Sequence, residues 1–247
     1  MTNFFGWQQI PSPLITEILC FNHYGIVLDT EHSFWNYETI QNCIQVGKLS
    51  NSKVYVRIHK KDTGIISKIL DAGADGIILS TVETLEEAVN FKSLSLHPLQ
   101  SGKRGLGLVR QNMWGQEGLE SPMPSLIPQI ETKTGIDNLQ SIKDLGFDFY
   151  LIGPYDLSSS LGSPGSFDDK KFLDSIERFK SLIPEEKRAV HVPNDVADQI
   201  YKYSSFGMIC LGMDTISLVD TSRNNVNVAQ RNINIRTDKI SLPESSQ

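Results

Sequence analysis

The 247-residue chain is expected to fold as one α/β domain, an eight-stranded (β/α)₈ barrel of the TIM type. Three observations carry this expectation. Eight short β-rich runs recur along the chain. Several are apolar throughout, such as Gly25-Ile26-Val27-Leu28 and Gly76-Ile77-Ile78-Leu79, as strands buried on both faces should be. Helical patterns, with apolar residues at three- and four-residue spacing, lie between them. The competing doubly wound open sheet needs fewer strands and usually a glycine-rich first turn, which this chain lacks.

Taken in order, strands are expected at 4–9, 25–29, 54–58, 76–79, 125–131, 149–152, 188–192 and 208–211. Helices are expected at 13–21, 37–46, 64–70, 85–94, 135–144, 169–182 and 195–203. Thr84 precedes its helix with Glu87 three residues on, a capping-box pattern. Asp71-Ala72-Gly73-Ala74-Asp75-Gly76 is a glycine stop followed at once by a strand, and Asp144-Leu145-Gly146-Phe147-Asp148 repeats the device. The longest connection, 97–124, is read as a functional loop on the catalytic face. After Asp214 the pattern decays, and Asn224-Asn225-Val226-Asn227 reads as a poor helix. The barrel domain is therefore expected over 1–230, with 231–247 a flexible tail.

The bulk numbers restrict the partners. With 39% hydrophobic and 21% charged residues, the composition is that of an ordinary globular protein. A net charge of −6 leaves no basic surplus for a phosphate backbone, so no nucleic-acid partner is expected. Cys20, Cys43 and Cys210 are odd in number and far apart, with neither zinc spacing nor a disulfide framework. Buried thiols in a reducing cytoplasm are the expectation. The first seven residues lack a basic and an apolar targeting region, and no apolar run approaches the ~20 residues of a membrane helix.

In a barrel, chemistry sits at the carboxyl ends of the strands. Glu131 and Asp156 each stand where a hydrophobic strand runs out, 25 residues apart, about one strand–helix–strand unit. Two hard oxygen ligands at one end of a sheet suit Mg²⁺ or Mn²⁺. The other ends add Asp29-Thr30-Glu31-His32-Ser33, Val56-Arg57-Ile58 and Gly153-Pro154-Tyr155-Asp156. Singly, each has a structural explanation: a hydrogen-bonded histidine, an ion-paired arginine, an aspartate capping a short helix. Together they require four coincidences on one face, and the functional reading is preferred. A 2-oxo acid can chelate a cation held by Glu131 and Asp156. Arg57 can stabilise its carboxylate and a developing enolate, and His32 can move a proton at neutral pH. These parts make a carbon–carbon lyase acting through a pyruvate enolate.

At these residues the sequence resembles the metal-dependent class II pyruvate aldolases of the HpcH/HpaI family, the 2,4-dihydroxyhept-2-ene-1,7-dioate and 2-keto-3-deoxy-sugar-acid aldolase type. The matching segments are Leu28-Asp29-Thr30-Glu31-His32, Val56-Arg57, Leu70-Asp71-Ala72-Gly73-Ala74, Gly102-Lys103-Arg104-Gly105-Leu106-Gly107, Gln129-Ile130-Glu131-Thr132, Ile152-Gly153-Pro154-Tyr155-Asp156-Leu157-Ser158 and Gly212-Met213-Asp214-Thr215. The resemblance implies Glu131 and Asp156 as ligands of a divalent metal, Mg²⁺ or Mn²⁺ with Co²⁺ the further candidate. It implies Arg57 as the pyruvate-binding, enolate-stabilising residue and His32 as the base, paired with Asp71. Gln129 and Glu31 would stand beside the metal, Asp29 towards the acceptor, and Pro154 and Tyr155 along the substrate pocket.

Asp71 ends a helix just before a strand, at the opposite end of its own barrel from His32. A homo-oligomer with an active site completed by a neighbouring subunit is therefore expected, with pyruvate and an aldehyde as substrates. The sequence departs from the family in three places. Tyr155 stands where an alanine is common. Ile58-His59-Lys60-Lys61 replaces proline-rich sequence, and the C-terminal helix that family members exchange between subunits is weak. His59, Lys60, Lys103, Arg104 and Tyr155 suggest a polar, anionic or sugar-like aldehyde. Alternatives are a Schiff-base aldolase using Lys133, a citrate-lyase-β-like acyl-CoA lyase, and a catalytically silent barrel. Glu131 would keep Lys133 protonated, which counts against the first. His191 ends strand seven as a structural histidine or an added site residue.

Overall fold

Eight parallel strands pair in sequence order, and the first closes on the last. They are β1 (Asn3–Gln8), β2 (Gly25–Asp29), β3 (Lys53–Ile58), β4 (Gly76–Leu79), β5 (Ser125–Ile130), β6 (Tyr150–Ile152), β7 (Arg188–Val192) and β8 (Met208–Leu211). The computed structural model describes residues 2–116, 122–193 and 200–240. Helices α1 (Pro13–Cys20), α2 (Tyr37–Leu49), α3 (Ile66–Asp71), α4 (Leu85–Ser95), α5 (Lys133–Asp137), α6 (Leu139–Lys143), α7 (Pro154–Ser160), α8 (Lys170–Leu182) and α9 (Asp214–Ile240) follow in chain order.

The two-residue alternation of each strand builds two cores. Phe5, Trp7, Val27, Tyr55, Ile78, Ile127, Leu151, Ala189, Met208 and Cys210 form one buried cluster, the barrel interior. The intervening residues, among them Ile26, Leu28, Val54, Val56 and Ile77, pack outward with Phe91, Leu139 and Phe179 of the helices. Continuing the inward rows towards the carboxyl ends replaces apolar residues with polar ones. Val27 is followed two residues on by Asp29, Tyr55 by Arg57, Ile127 by Gln129 and Glu131, and Ala189 by His191. The polar layer is thus the top of the barrel interior, resting on an apolar floor.

Helix starts follow local chemistry. The Thr84 hydroxyl accepts from Glu87 N–H and the Glu87 carboxylate returns a bond to the Thr84 backbone, so the expected capping box forms. The side chains of Asn36, Thr132 and Asp169 each accept one backbone N–H at the start of α2, α5 and α8, without the return bond. The helix expected over 135–144 is two short helices that meet at Asn138. The helix expected over 195–203 lies largely outside the described residues; 200–203 form a 3₁₀ turn.

Three expectations change. After Asp214, where the apolar pattern decays and 224–227 read as a poor helix, the chain forms a 27-residue helix. Residues 214–240 contain no glycine or proline, and an asparagine costs a helix only a few tenths of a kcal/mol, so nothing there breaks it. Residues 241–247 lie outside the described residues. The 97–124 connection leads from α4 into the start of β5, so it arrives at the amino end of the strands, opposite the catalytic face. It carries 3₁₀ turns at Pro98–Gln100 and Arg110–Gly115. Thirdly, Pro154–Ser160 is a helix that the apolar periodicity did not reveal. None of the three cysteines is disulfide-bonded; Cys43 and Cys210 are buried and Cys20 is half-buried.

Candidate active site

Asp29 and Arg57 are register partners on β2 and β3. Arg57 grips the carboxylate in a fork: Nε donates to Asp29 Oδ1 at 2.9 Å and Nη2 to Oδ2 at 2.7 Å. Trp7 Nε1 and Gln9 Nε2 also donate to Asp29 Oδ2, at 3.2 and 3.1 Å. Burial alone would raise the Asp29 carboxyl, but the Arg57 charge and these donors outweigh it and hold it at about 2. Arg57 lies over the Trp7 ring at 4.8 Å, and Trp7 stacks on His191 at 4.0 Å. Arg57 Nη1 remains beside Glu31, 3.0 Å from Oε2, as an ion-pair contact rather than an aligned hydrogen bond.

The segment after β2 folds back on Asp29. Glu31 and His32 N–H groups donate to Asp29 Oδ1, while Ser33 Oγ and Trp35 Nε1 donate to the Asp29 carbonyl. His32 is thereby carried to the carboxyl end of the barrel, where it is exposed to solvent.

Glu131 stands one residue beyond β5 and is 2% exposed. Thr81 donates to its Oε1 twice, from the backbone N–H at 2.8 Å and from Oγ1 at 2.6 Å. Gln129 Nε2 donates to Oε2 in a short contact. Burial pushes the Glu131 carboxyl up to about 7, and the charges of Asp156 and Glu31 push the same way. Asp156 lies in the first turn of α7, exposed, with Pro154 buried at the start of that helix. Gly153 sits between them for a steric reason: a Cβ there would come within 2.5 Å of Glu131 Oε2 and 2.8 Å of Glu131 Cβ. Tyr155, half-exposed, meets Phe167 edge to face.

These residues fit a hard cation. Carboxylates gathered in a partly dry site repel one another without a positive charge between them, and Gln129 Oε1 is a buried acceptor with no hydrogen-bond partner. Among the described residues, no three His, Cys, Asp or Glu side chains converge as a full ligand set.

Other sequence-selected residues lie apart. Asp71 ends α3 at the amino end of the barrel, with Oδ1 3.7 Å from Arg104 Nη1. Arg104 is buried there, donating to His97 and Gln111, so it does not line the catalytic face of its own barrel, and Lys103 lies beside it in the same connection. Lys60 is committed to Glu83 and Glu87 at 2.7 and 3.0 Å, while the His59 ring accepts from Lys61 N–H. Lys133 is exposed and paired with Asp137, away from the dry environment a Schiff-base lysine needs. His191 Nε2 lies 2.9 Å from the Gly212 carbonyl, and the surrounding protein holds its imidazole down at about 4, so it is a neutral support under Trp7.

Trp7, Gln9, Ser80 and Thr81 were not anticipated. They follow from the ends of β1 and β4, whose residues are uncharged and so carried no chemical signal. Thr81 did offer one sign, visible only in the backbone: a φ of 53°, which a β-branched residue rarely adopts.

Residues 7–221 match the sequence profile of the family described as HpcH/HpaI aldolase/citrate lyase. Among similar proteins is the hydroxypyruvate/pyruvate aldolase of Roseovarius nubinhibens, 28% identical over 227 residues, covering 88% of this chain and 88% of that protein. The 2-keto-3-deoxy-L-rhamnonate aldolase of Escherichia coli K12 is 28% identical, with 87% and 84% covered. A crystal structure of an HpcH/HpaI aldolase/citrate lyase family protein from Burkholderia cenocepacia superposes with a TM-score of 0.83 at 20% identity, covering 93% of this chain and 95% of that one.

Proposed function

The chain belongs to the HpcH/HpaI aldolase/citrate lyase family, and on that premise we propose that it is a class II pyruvate aldolase. It would cleave or form a 4-hydroxy-2-oxo acid, with pyruvate and an aldehyde as the other partners. Its relatives named as pyruvate and 2-keto-3-deoxy-L-rhamnonate aldolases support this substrate class. The observation that carries the reading is the pairing of a locked cation with a carboxylate pair. Arg57, held in a fork by Asp29, stands at the same strand ends as Glu131 and Asp156.

Glu131 and Asp156 would hold a divalent cation, Mg²⁺ or Mn²⁺, with Co²⁺ the further candidate. Bound there, such an ion supplies Lewis-acid polarisation of the 2-oxo group. Arg57 keeps donors free of Asp29 and directs them at the substrate carboxylate and the enolate oxygen, where charge grows during the reaction. Asp29 fixes the guanidinium so that none of this binding depends on reorganising it. In the cleavage direction His32 takes the proton of the 4-hydroxyl. The C3–C4 bond breaks, its electron pair forms the enolate, the aldehyde leaves, and the proton returns to C3 to give the pyruvate methyl group. Gln129, Pro154 and Tyr155 border the pyruvate pocket, with Asp29 towards the acceptor side.

The site is completed between subunits of a homo-oligomer. Asp71 of one copy would pair with His32 of another, because the two lie at opposite ends of one barrel. In that assembly α9 would be exchanged between subunits. Residues 217–233 of that helix are exposed, including Leu218, Val219, Val226 and Val228. An apolar groove of about 420 Å³, lined by Ile15, Ile18, Leu19, Leu211 and Met213, opens beside its root.

Incubation with pyruvate in D₂O and Mn²⁺ or Mg²⁺ is expected to exchange the methyl protons, and oxaloacetate is expected to lose CO₂. Protein that does neither with either metal is not an enolate-forming enzyme.

A further inference from the structure

We infer that Thr81 is a positioning residue for the cation-binding carboxylate: it commits Glu131 Oε1 and leaves Oε2 as the oxygen that meets the cation. The inference rests on the reading of Glu131 as a ligand. A carboxylate oxygen offers two lone-pair directions. Both on Oε1 are used by Thr81, through N–H at 2.8 Å and Oγ1–H at 2.6 Å. Oε2 receives only Gln129 Nε2 and keeps one direction open. Gln129 Oε1, on the side chain that donates to that oxygen, is buried without a hydrogen-bond partner, so both side chains keep unused acceptor capacity.

The backbone shows that this arrangement is imposed. Thr81 has a φ of 53°, a left-handed conformation that a branched Cβ resists. The turn is laced into both neighbouring strands: Ser80 N–H donates to the Ile58 carbonyl at 3.0 Å and Val82 N–H to the Gln129 carbonyl at 3.0 Å. In this conformation the N–H and the hydroxyl of one residue both reach the same carboxylate oxygen. The preceding hydroxyl acts in parallel, Ser80 Oγ donating to Glu31 Oε1 at 2.6 Å. A two-residue turn after β4 therefore orients two of the acidic groups around Arg57.

Mn²⁺ titrated into metal-free protein, with free Mn²⁺ read by electron paramagnetic resonance, tests this. Thr81→Val keeps the branch and the N–H but removes the hydroxyl, and is expected to raise the Mn²⁺ Kd about tenfold or more. Thr81→Ser, which restores the hydroxyl, is expected to return binding to the wild-type value. Thr81→Ala replaces the valine variant if that one does not fold. Glu131→Gln, measured alongside, separates the two levels of the argument. If Glu131→Gln abolishes Mn²⁺ binding while Thr81→Val binds as wild type, even with a lowered Tm, Thr81 is merely structural and the inference is overturned while the ligand assignment stands. If Glu131→Gln binds Mn²⁺ as wild type, the ligand assignment fails and the inference falls with it.

Discussion

Arg57 is buried on the catalytic face, and what keeps it usable is Asp29. The pair is a buried ion pair with extra donors from Trp7 and Gln9, the arrangement in which burial of charge is tolerated. Because Asp29 is held at about 2 against an ordinary 3.8, its ionised form contributes about 2 kcal/mol to folding. That contribution is present above pH 3.8 and is lost as pH falls from 3.8 towards 2. Urea unfolding followed against pH should show this acid limb in the wild type. Asp29→Asn should lack it and should be less stable at pH 7, since buried Arg57 then loses its charged fork partner and keeps only the Glu31 contact. Glu131→Ala and Asp156→Ala should each abolish metal-dependent pyruvate chemistry while the circular dichroism spectrum stays that of a folded barrel. At this scale the charged residues were legible in the sequence and their partners were not. Arg57, Glu131 and Asp156 stand out at strand ends, whereas Trp7 and Thr81 gain a role only through what they touch.

Among the elements, the strands were legible almost to the residue, because runs such as Gly25-Ile26-Val27-Leu28 must be buried on both faces. Helix ends marked by Thr84 and by Gly73 were legible for the same kind of local reason. The short α7 was not, since seven residues give too few turns to show a period, yet it carries Asp156 into the site. Its approach depends on Gly153, which lets β6 pass close to Glu131. Gly153→Ala should displace that carboxylate and lower kcat/KM by about a hundredfold, because small misplacements at a reacting centre are costly. Steady-state kinetics with a thermal melt checks this: an unchanged kcat/KM with a normal melt would show that the close approach is not needed. The C-terminal helix was hard to read in the sequence for an instructive reason. A polar, asparagine-rich segment offers no apolar periodicity to read, yet Asp214–Ile240 contains no glycine or proline to interrupt a helix.

For the whole molecule, two groups that the resemblance couples, His32 and Asp71, stand at opposite ends of one barrel. The proposed assembly brings them together, so mixing the inactive variants His32→Ala and Asp71→Ala under exchange conditions should restore activity in mixed oligomers. Removal of residues 219–247 should yield a smaller species in analytical ultracentrifugation with little activity. A fully active monomer would sink the shared-site proposal. The Arg104–His97–Gln111 network beside Asp71 places the described part of the 97–124 connection at the amino end of the barrel, the side that meets the neighbouring subunit in the proposed assembly.

The sequence by itself determined the barrel, the order of its strands, and the carboxyl-end residues that carry charge. Those follow from burial patterns and from the direction of the chain, which are local properties. Tertiary structure alone decided which donors hold each carboxylate, that Lys60 is already paired, that Arg104 is buried at the far end, and that Thr81 is bent into a rare conformation to meet Glu131. Hydrogen bonds between strands tens of residues apart depend on registers and side-chain directions that no local pattern records.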